Sequence, residues 1–227
     1  MITIVVSSKK PLAENAQWLA LLEQTVSEPI NIDYIQNNGE SGLTTVYNEA
    51  LKRANTDIVV FIHDDVQILT YGWNATLKRL FNINKNCCII GLAGSDKYNG
   101  CGWWHNGNHY GTVFHKHNGQ IFMSRYSGQI ENIEKVVTVD GLFLAVKKDR
   151  LKSGFNTSIN GFHFYDVVFC LDNYLKGVEI GVTTKIIALH ASIGNCNEEW
   201  QNTNAIVYNM YQNYLPITTV KNNNNFF

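Results

Sequence analysis

The chain has 227 residues, of which 45% are hydrophobic and 16% charged, with a formal net charge of -1 at pH 7. That length suits one large domain with a substantial core rather than two, and the near-neutral balance argues against nucleic-acid binding, which leans on a basic face. No stretch approaches the roughly eighteen unbroken apolar residues of a membrane span.

Met1-Ile2-Thr3-Ile4-Val5-Val6 begins directly as a strand without a basic leader, so no signal peptide is expected. After Ser7-Ser8-Lys9-Lys10, the apolar positions Leu12, Ala13, Ala16, Leu19, Ala20 and Val26 recur at helical spacing, and Pro29 closes that unit. Ile30 to Gln36 alternate as a strand would and end at the turn signal Asn37-Asn38-Gly39. Leu43, Val46, Tyr47, Ala50, Leu51 and Ala54 define a clean amphipathic helix, with Ser41 placed as its N-cap. Ile58 to Ile62 read as a strand buried on both faces that stops abruptly at His63-Asp64-Asp65. The order β-α-β-α-β with short connections predicts a parallel sheet with right-handed crossovers.

A helix over Trp73 to Phe81 and a strand over Ile89 to Ala93 follow, and then Gly94 to Gly111 reads as a long loop rich in Gly, Asn, His and aromatic residues. Asn118-Gly119 between Thr112–His117 and Gln120–Met123 predicts a hairpin closed by a type I′ turn. Strands are expected at Val136 to Val139 and Leu142 to Val146, flanking Asp140-Gly141. A helix runs from Asp166 to about Lys176 and stops at Gly177, strands follow at Val178 to Val182 and Ile186 to Leu189, and a last helix spans Glu198 to Tyr214. Asn222 to Asn225 form a low-complexity tail expected to fray. With no repeat and no linker, one domain is expected over residues 1–227.

Chemistry is expected where strands end. Two adjacent carboxylates after a buried strand sit at its carboxyl end, where open α/β sheets bind ligands. Crowded carboxylates repel, and a cation between them and an anionic ligand makes them tolerable. Asp64/Asp65, Asp166 and His190 all fall at strand or helix ends and would, if brought together, hold a divalent cation and a general base. Cys87, Cys88, Cys101, Cys170 and Cys196 are odd in number and lack CxxC spacing, so they are expected to be reduced, small buried residues in a cytosolic compartment.

Several motifs in order, Tyr47-Asn48-Glu49-Ala50, Phe61-Ile62-His63-Asp64-Asp65-Val66, Gly91-Leu92-Ala93-Gly94, Trp103-Trp104, Val139 to Ala145, Phe162 to Asp166 and Leu189-His190, resemble family-2-type glycosyltransferases of the GT-A fold, in a bacterial subgroup with an HDD variant of the DxD motif. The resemblance runs from Ile2 to about Trp200. It implies a Rossmann-type mixed, mainly parallel sheet flanked by helices with a hairpin insertion, a nucleotide-binding half over about 1–95, an acceptor half over about 96–215 and a frayed tail. It implies an inverting, metal-dependent transfer of a sugar from a nucleotide diphosphate donor to a hydroxyl of a glycan or lipid-linked acceptor, in surface polysaccharide synthesis. By the same resemblance Asp65 and His190 hold Mn2+ or Mg2+. Ser7, Ser8, Asn37, Asn38, His63 and Asp64 bind the nucleotide-sugar, and Asp166 is the catalytic base. Trp103, Trp104, Asp140, Gly141 and His163 meet the acceptor or sugar, with Gly141 leaving room for a close approach. Where such relatives carry a second acid two residues after the base, this chain has Val168.

Plainer readings compete at each position. Asp65 could simply cap a strand, Asp166 could be a helix-terminal acid favoured by the dipole, and His190 could be a satisfied structural residue. One of the two adjacent tryptophans is expected to pack inward. His105, His109, His115 and His117 raise a zinc site, set aside because ligand-rich loops are commonly solvated. Two rival functions remain at this stage: a non-catalytic sugar-nucleotide or glycan-binding module, and a sugar-phosphate nucleotidyltransferase, against which the lack of a Gly-rich, lysine-bearing loop after the first strand counts. The expected location is cytoplasmic, with the aromatic tail Phe226-Phe227 leaving contact with the inner face of the membrane open.

Overall fold

The structure is a computed structural model that describes residues 1–105 and 107–219. In chain order it runs β1 (Ile2–Ser8), α1 (Ala16–Thr25), β2 (Ile30–Gln36), α2 (Leu43–Arg53), β3 (Ile58–Ile62), β4 (Val66–Ile68), α3 (Trp73–Ile83) and β5 (Cys87–Gly91). Then come β6 (Ala93–Ser95), β7 (Lys97–Tyr98), β8 (His109–His117), β9 (Gln120–Arg125), β10 (Glu134–Val136), β11 (Thr138–Val139) and β12 (Phe143–Lys147). The chain continues with α4 (Tyr165–Tyr174), β13 (Glu179–Val182), β14 (Ala188–His190), α5 (Glu198–Tyr211) and β15 (Ile217–Thr218).

The main sheet has seven strands in the order β10-β13-β5-β12-β3-β1-β2. Strands β2, β1 and β3 are parallel. Strand β12 lies antiparallel to both β3 and β5, so β5 regains the original direction and β13 follows it in parallel. The sheet is thus mixed and mainly parallel. Alternation explains why β3 reads as unbroken apolar sequence: Ile58, Val60 and Ile62 feed one core layer, while Val59 and Phe61 feed the other. Helices α2 and α4 cover the second layer through Val46, Tyr47, Ala50, Phe169 and Cys170.

A second sheet, β11-β6-β8-β14-β4 with β9 paired to β8, stands beside the first. It corrects three expectations. Ile89 to Ala93 is not one strand, because the chain leaves the first sheet at Gly91 and enters the second at Ala93. Val136 to Val139 is likewise divided between the sheets, as β10 and β11. The loop expected over Gly94 to Gly111 contains the end of β6, all of β7 and the start of β8. The hairpin appears as expected, with Asn118 at φ 50° and Gly119 at φ 76° supplying the two positive angles.

The helix boundaries differ in detail. Gly42, not Ser41, is the N-cap of α2. Ser41 is held by Asn37, whose amide donates to its carbonyl at 2.9 Å, and a Cβ at position 42 would fall 2.0 Å from Asn160 Oδ1. The last helix loses regular geometry after Tyr211 and ends in a 3-10 turn over Gln212–Tyr214. Cys87, Cys88 and Cys170 are buried as expected, whereas Cys101 is half-buried and Cys196 exposed. Among the described residues no helix is long and apolar enough to cross a membrane. The tail residues Asn222 to Asn225 and Phe226-Phe227 lie outside the described residues.

Candidate functional site

The antiparallel course of β12 builds the site. Its register sets Phe143 against Ile62, and the His63 N–H donates to the Leu142 carbonyl at 3.2 Å. The segment before β12, Asp140-Gly141, therefore meets the carboxyl end of β3, although the two are far apart in sequence. Strand β14 pairs with β4 so that His190 opposes Val66, and the Ala191 N–H donates to the Asp65 carbonyl at 2.9 Å. A cleft of about 1060 Å³ opens over this junction, lined among others by Ser8, Asp64, Trp104, Asp140, Asp166 and His190.

One ligand atom from each of His63, Asp65 and His190 lies within 4.8 Å of the others, the one such group of three among the described residues. His190 Nε2 stands 3.4 Å from Asp65 Oδ1 and 3.0 Å from the Ser192 hydroxyl. Burial opposes charge on both members of the pair, but their mutual attraction wins: the carboxyl of Asp65 is lowered to about 2 and the imidazole of His190 is raised. His63 is lowered, by burial first and by the neighbouring His190 second. Its Nε2 is 2.8 Å from the Tyr165 hydroxyl, and that hydroxyl lies 3.0 Å from the Gly141 carbonyl. A carbonyl can only accept, so the phenol proton goes to Gly141 and His63 Nε2 carries the hydrogen. Nδ1 of His63 then holds the lone pair, the state a metal ligand needs. Two imidazoles and a carboxylate so arranged fit a manganese-like divalent ion.

Asp166 opens α4 at the same junction. Its Oδ2 accepts the Gly141 N–H at 2.7 Å and its Oδ1 the Val167 N–H at 2.8 Å. Burial, followed by the charge of Asp140, nevertheless pushes this carboxyl up to about 7. Phe164, just before α4, is left-handed at φ 62° and packs against Trp200 of α5, with ring centroids 5.0 Å apart and tilted by 44°. A Cβ at Gly141 would lie 2.2 Å from the Tyr165 hydroxyl oxygen and 3.1 Å from Asp166 Cβ. The space expected for a close-approaching acceptor is therefore filled by protein, and glycine is required there by Tyr165 and Asp166.

The remaining candidates divide. Asp140 lines the cleft, with Oδ1 taken by the Leu142 N–H at 2.9 Å. His163 lines it too. Trp103 is 4% exposed and packs on Tyr126 at 5.6 Å, while Trp104 is 41% exposed and faces Trp200 at 6.0 Å. Ser7, Ser8 and Asn37 line the β1–β2 end of the cleft, but Asn38 is not among the lining residues. Asn37 is occupied with its own loop, its Oδ1 accepting the Gly39 N–H at 3.2 Å and its Nδ2 donating to the Ser41 carbonyl. The histidines considered for zinc disperse: His109 packs on Trp103, His115 stacks on Phe122 at the cleft, and His117 is exposed at the hairpin end. Tyr165, Phe162, Trp200 and Asn15 were given no role on sequence grounds. Phe162, 5.2 Å from His63, and Tyr165 lie within a motif already singled out, whereas Asn15 and Trp200 carry no sequence signal of their own.

A Rossmann-type mixed sheet with a DxD-like acid and imidazole group after the third parallel strand, β3, is the arrangement of GT-A glycosyltransferases. A family model described as "Glycosyltransferase like family" matches residues 2–217, and the chain belongs to that family. Among solved structures it is similar to GalNAc-T7 with UDP, GalNAc and Mn2+, at 6% identity and a TM-score of 0.58, over 85% of this chain and 44% of that one. It is also similar to A197 from STIV, at 11% identity and a TM-score of 0.47, over 85% of this chain and 86% of that one. No curated protein matches the sequence.

Proposed function

We propose that this chain is an inverting glycosyltransferase that moves a hexose from a nucleoside diphosphate donor to a hydroxyl of a glycan or lipid-linked acceptor, in the cytoplasm, at the inner face of the membrane, during surface polysaccharide assembly. The observation that carries the reading is the convergence, in one cleft, of the His63–Asp65–His190 group with Asp166. The solved relative with UDP, GalNAc and Mn2+ supports the same donor chemistry by fold alone. The chain reads as a single domain, with the donor held by residues of about 1–95 and the acceptor by residues of about 96–215.

Mn2+ or Mg2+ held by His63, Asp65 and His190 would supply positive charge against the diphosphate that leaves. Asp166 takes the acceptor proton as the hydroxyl oxygen attacks the anomeric carbon. The bond from that carbon to the diphosphate oxygen breaks with its electron pair on the leaving group, so one displacement inverts the configuration. A carboxylate whose pKa is near 7 is a better base at neutral pH than an ordinary one. Asp140 Oδ2, with no hydrogen-bond partner among the described residues, is placed to accept from a sugar hydroxyl. Trp104 offers an exposed ring to a sugar face.

The test is donor turnover with Mn2+ across UDP-, GDP-, CDP- and dTDP-linked sugars in the presence of hydroxyl acceptors. Transfer that yields the opposite anomer, and that disappears in Asp166→Asn with nucleotide binding kept, supports the reading. Nucleotide binding without transfer by the wild type would reduce it to a binding module. Release of pyrophosphate from a nucleoside triphosphate would replace it with nucleotidyl transfer.

A further inference from the structure

Behind the β1–β2 end of the cleft lies a buried polar chain that no step above uses. Asn15, in the 3-10 turn Leu12–Asn15, is 6% exposed, and Ser8 is 3% exposed. Asn15 Nδ2 lies 2.8 Å from the Tyr34 hydroxyl, 3.1 Å from Ser8 Oγ and 3.4 Å from Asp64 Oδ2. The Lys10 N–H also donates to Ser8 Oγ, at 3.0 Å, and the Tyr34 hydroxyl donates to the Lys10 carbonyl at 2.7 Å. Ser8 Oγ in turn donates to Asp64 Oδ2.

The direction of every proton in this chain is forced. Two N–H groups aim at the Ser8 oxygen, so its own proton must go to the carboxylate. Tyr34 gives its proton to a carbonyl, so it can only accept from Asn15. Asn15 must present nitrogen rather than oxygen on this side, because an amide oxygen would face a carboxylate, and its two hydrogens go to Tyr34 and Ser8, the nearer partners. The result is that Asp64 Oδ2 is held by the Ser8 hydroxyl, which Asn15 and the Lys10 N–H orient, while Oδ1 has no hydrogen-bond partner among the described residues. Asp64 is thereby held in one rotamer beside the adjacent Asp65, in a setting where a half-satisfied network would be costly.

We propose that Asn15, anchored by Tyr34, is a positioning residue for the donor nucleoside. It acts through Ser8 to fix Asp64 so that only Oδ1 is offered to the cleft, and it governs how tightly the nucleoside part of the donor is held. The proposal rests on the donor-binding reading above. It assigns Asn15 no part in diphosphate binding or in chemistry, because no hydrogen bond of the network reaches the side chains of His63, Asp65, His190 or Asp166.

The experiment compares wild type, Asn15→Ala and Tyr34→Phe. Binding of UDP, GDP, CDP and ADP with Mn2+, and of inorganic pyrophosphate with Mn2+, is measured by calorimetry, alongside donor KM and kcat. For the nucleoside diphosphate that binds wild type best, Asn15→Ala is expected to weaken binding and raise donor KM about tenfold, the upper end of the effect of one neutral hydrogen bond. Pyrophosphate affinity and kcat stay within twofold of wild type, a split that general loosening of the fold would not give. Tyr34→Phe is expected to weaken the same nucleotide by about threefold, and it decides by the same criteria if Asn15→Ala does not fold. Unchanged nucleotide affinity overturns the proposal, and so does a loss shared equally by pyrophosphate or confined to kcat. If none of the four nucleotides binds wild type, the donor reading itself fails and takes this proposal with it.

Discussion

Asp166→Asn is the substitution that most directly interrogates the site. In the wild type the carboxyl is raised from 3.8 to about 7, so about one-tenth of the molecules carry the charged form at pH 6 and about nine-tenths at pH 8. If Asp166 is the base, kcat/KM rises about tenfold between those values and levels off above pH 8. Asparagine has one acceptor oxygen where the carboxylate has two, so the variant keeps only one of the bonds from Gly141 and Val167. It cannot take a proton at all, and the loss at pH 8 is expected to be about 10²–10⁴-fold. Stability runs the other way. Because the folded-state pKa is raised, the stabilising contribution is complete below about pH 4 and is lost as pH rises through about 7. Activity and melting temperature, measured together from pH 5 to 9, should therefore move in opposite directions. A variant that keeps the acidic limb, or loses less than tenfold in kcat/KM, would refute the assignment.

Other substitutions probe the surroundings. Tyr165→Phe frees His63 Nε2 and is expected to lower Mn2+ affinity about 10–100-fold by titration, the usual effect of removing a group that orients a metal-ligating imidazole. His190→Ala is expected to abolish the metal response of activity, and residual turnover unaffected by chelator would contradict that. Gly141→Ala forces a Cβ to within 2.2 Å of the Tyr165 hydroxyl and should cost about 1–3 kcal/mol of stability, read as a lower melting temperature. Asn173, wholly buried, accepts from the Lys152 and Ser153 N–H groups and donates to the Ser153 and Phe169 carbonyls. Its replacement by Ala is expected to cost roughly 2–4 kcal/mol in denaturant unfolding, since four backbone groups lose a partner.

What the sequence made legible follows from physics local enough to leave a pattern. Ile58 to Ile62 announce a doubly covered strand because both core layers demand apolar side chains there. Asn118-Gly119 announces its turn because few residues accept two positive φ angles in succession. The division of Ile89 to Ser95 between two sheets left no such pattern, since both pieces are buried and apolar or small. At the site, Asp65, Asp166 and His190 stood out by chemistry at strand and helix ends, and the structure brings them to one cleft. His63 was assigned to the nucleotide by analogy with an aspartate, and the geometry sets it beside Asp65 and His190. Asn15 could not be found by periodicity, because it sits in a single 3-10 turn and matters only through residues brought near it by the fold.

Strand β12 lies between β3 and β5, so the piece of chain that completes the central sheet is drawn from beyond residue 140. A gene cut near codon 95 would leave an amino-terminal fragment whose β3 and β5 edges lack the strand that joins them, and a carboxyl-terminal fragment with a β12 that has no neighbours. Neither piece can be borrowed as a free-standing cassette. An exchange of the first 95 residues between relatives must carry a matching β12 along, or the graft will open at the seam where the cleft is built.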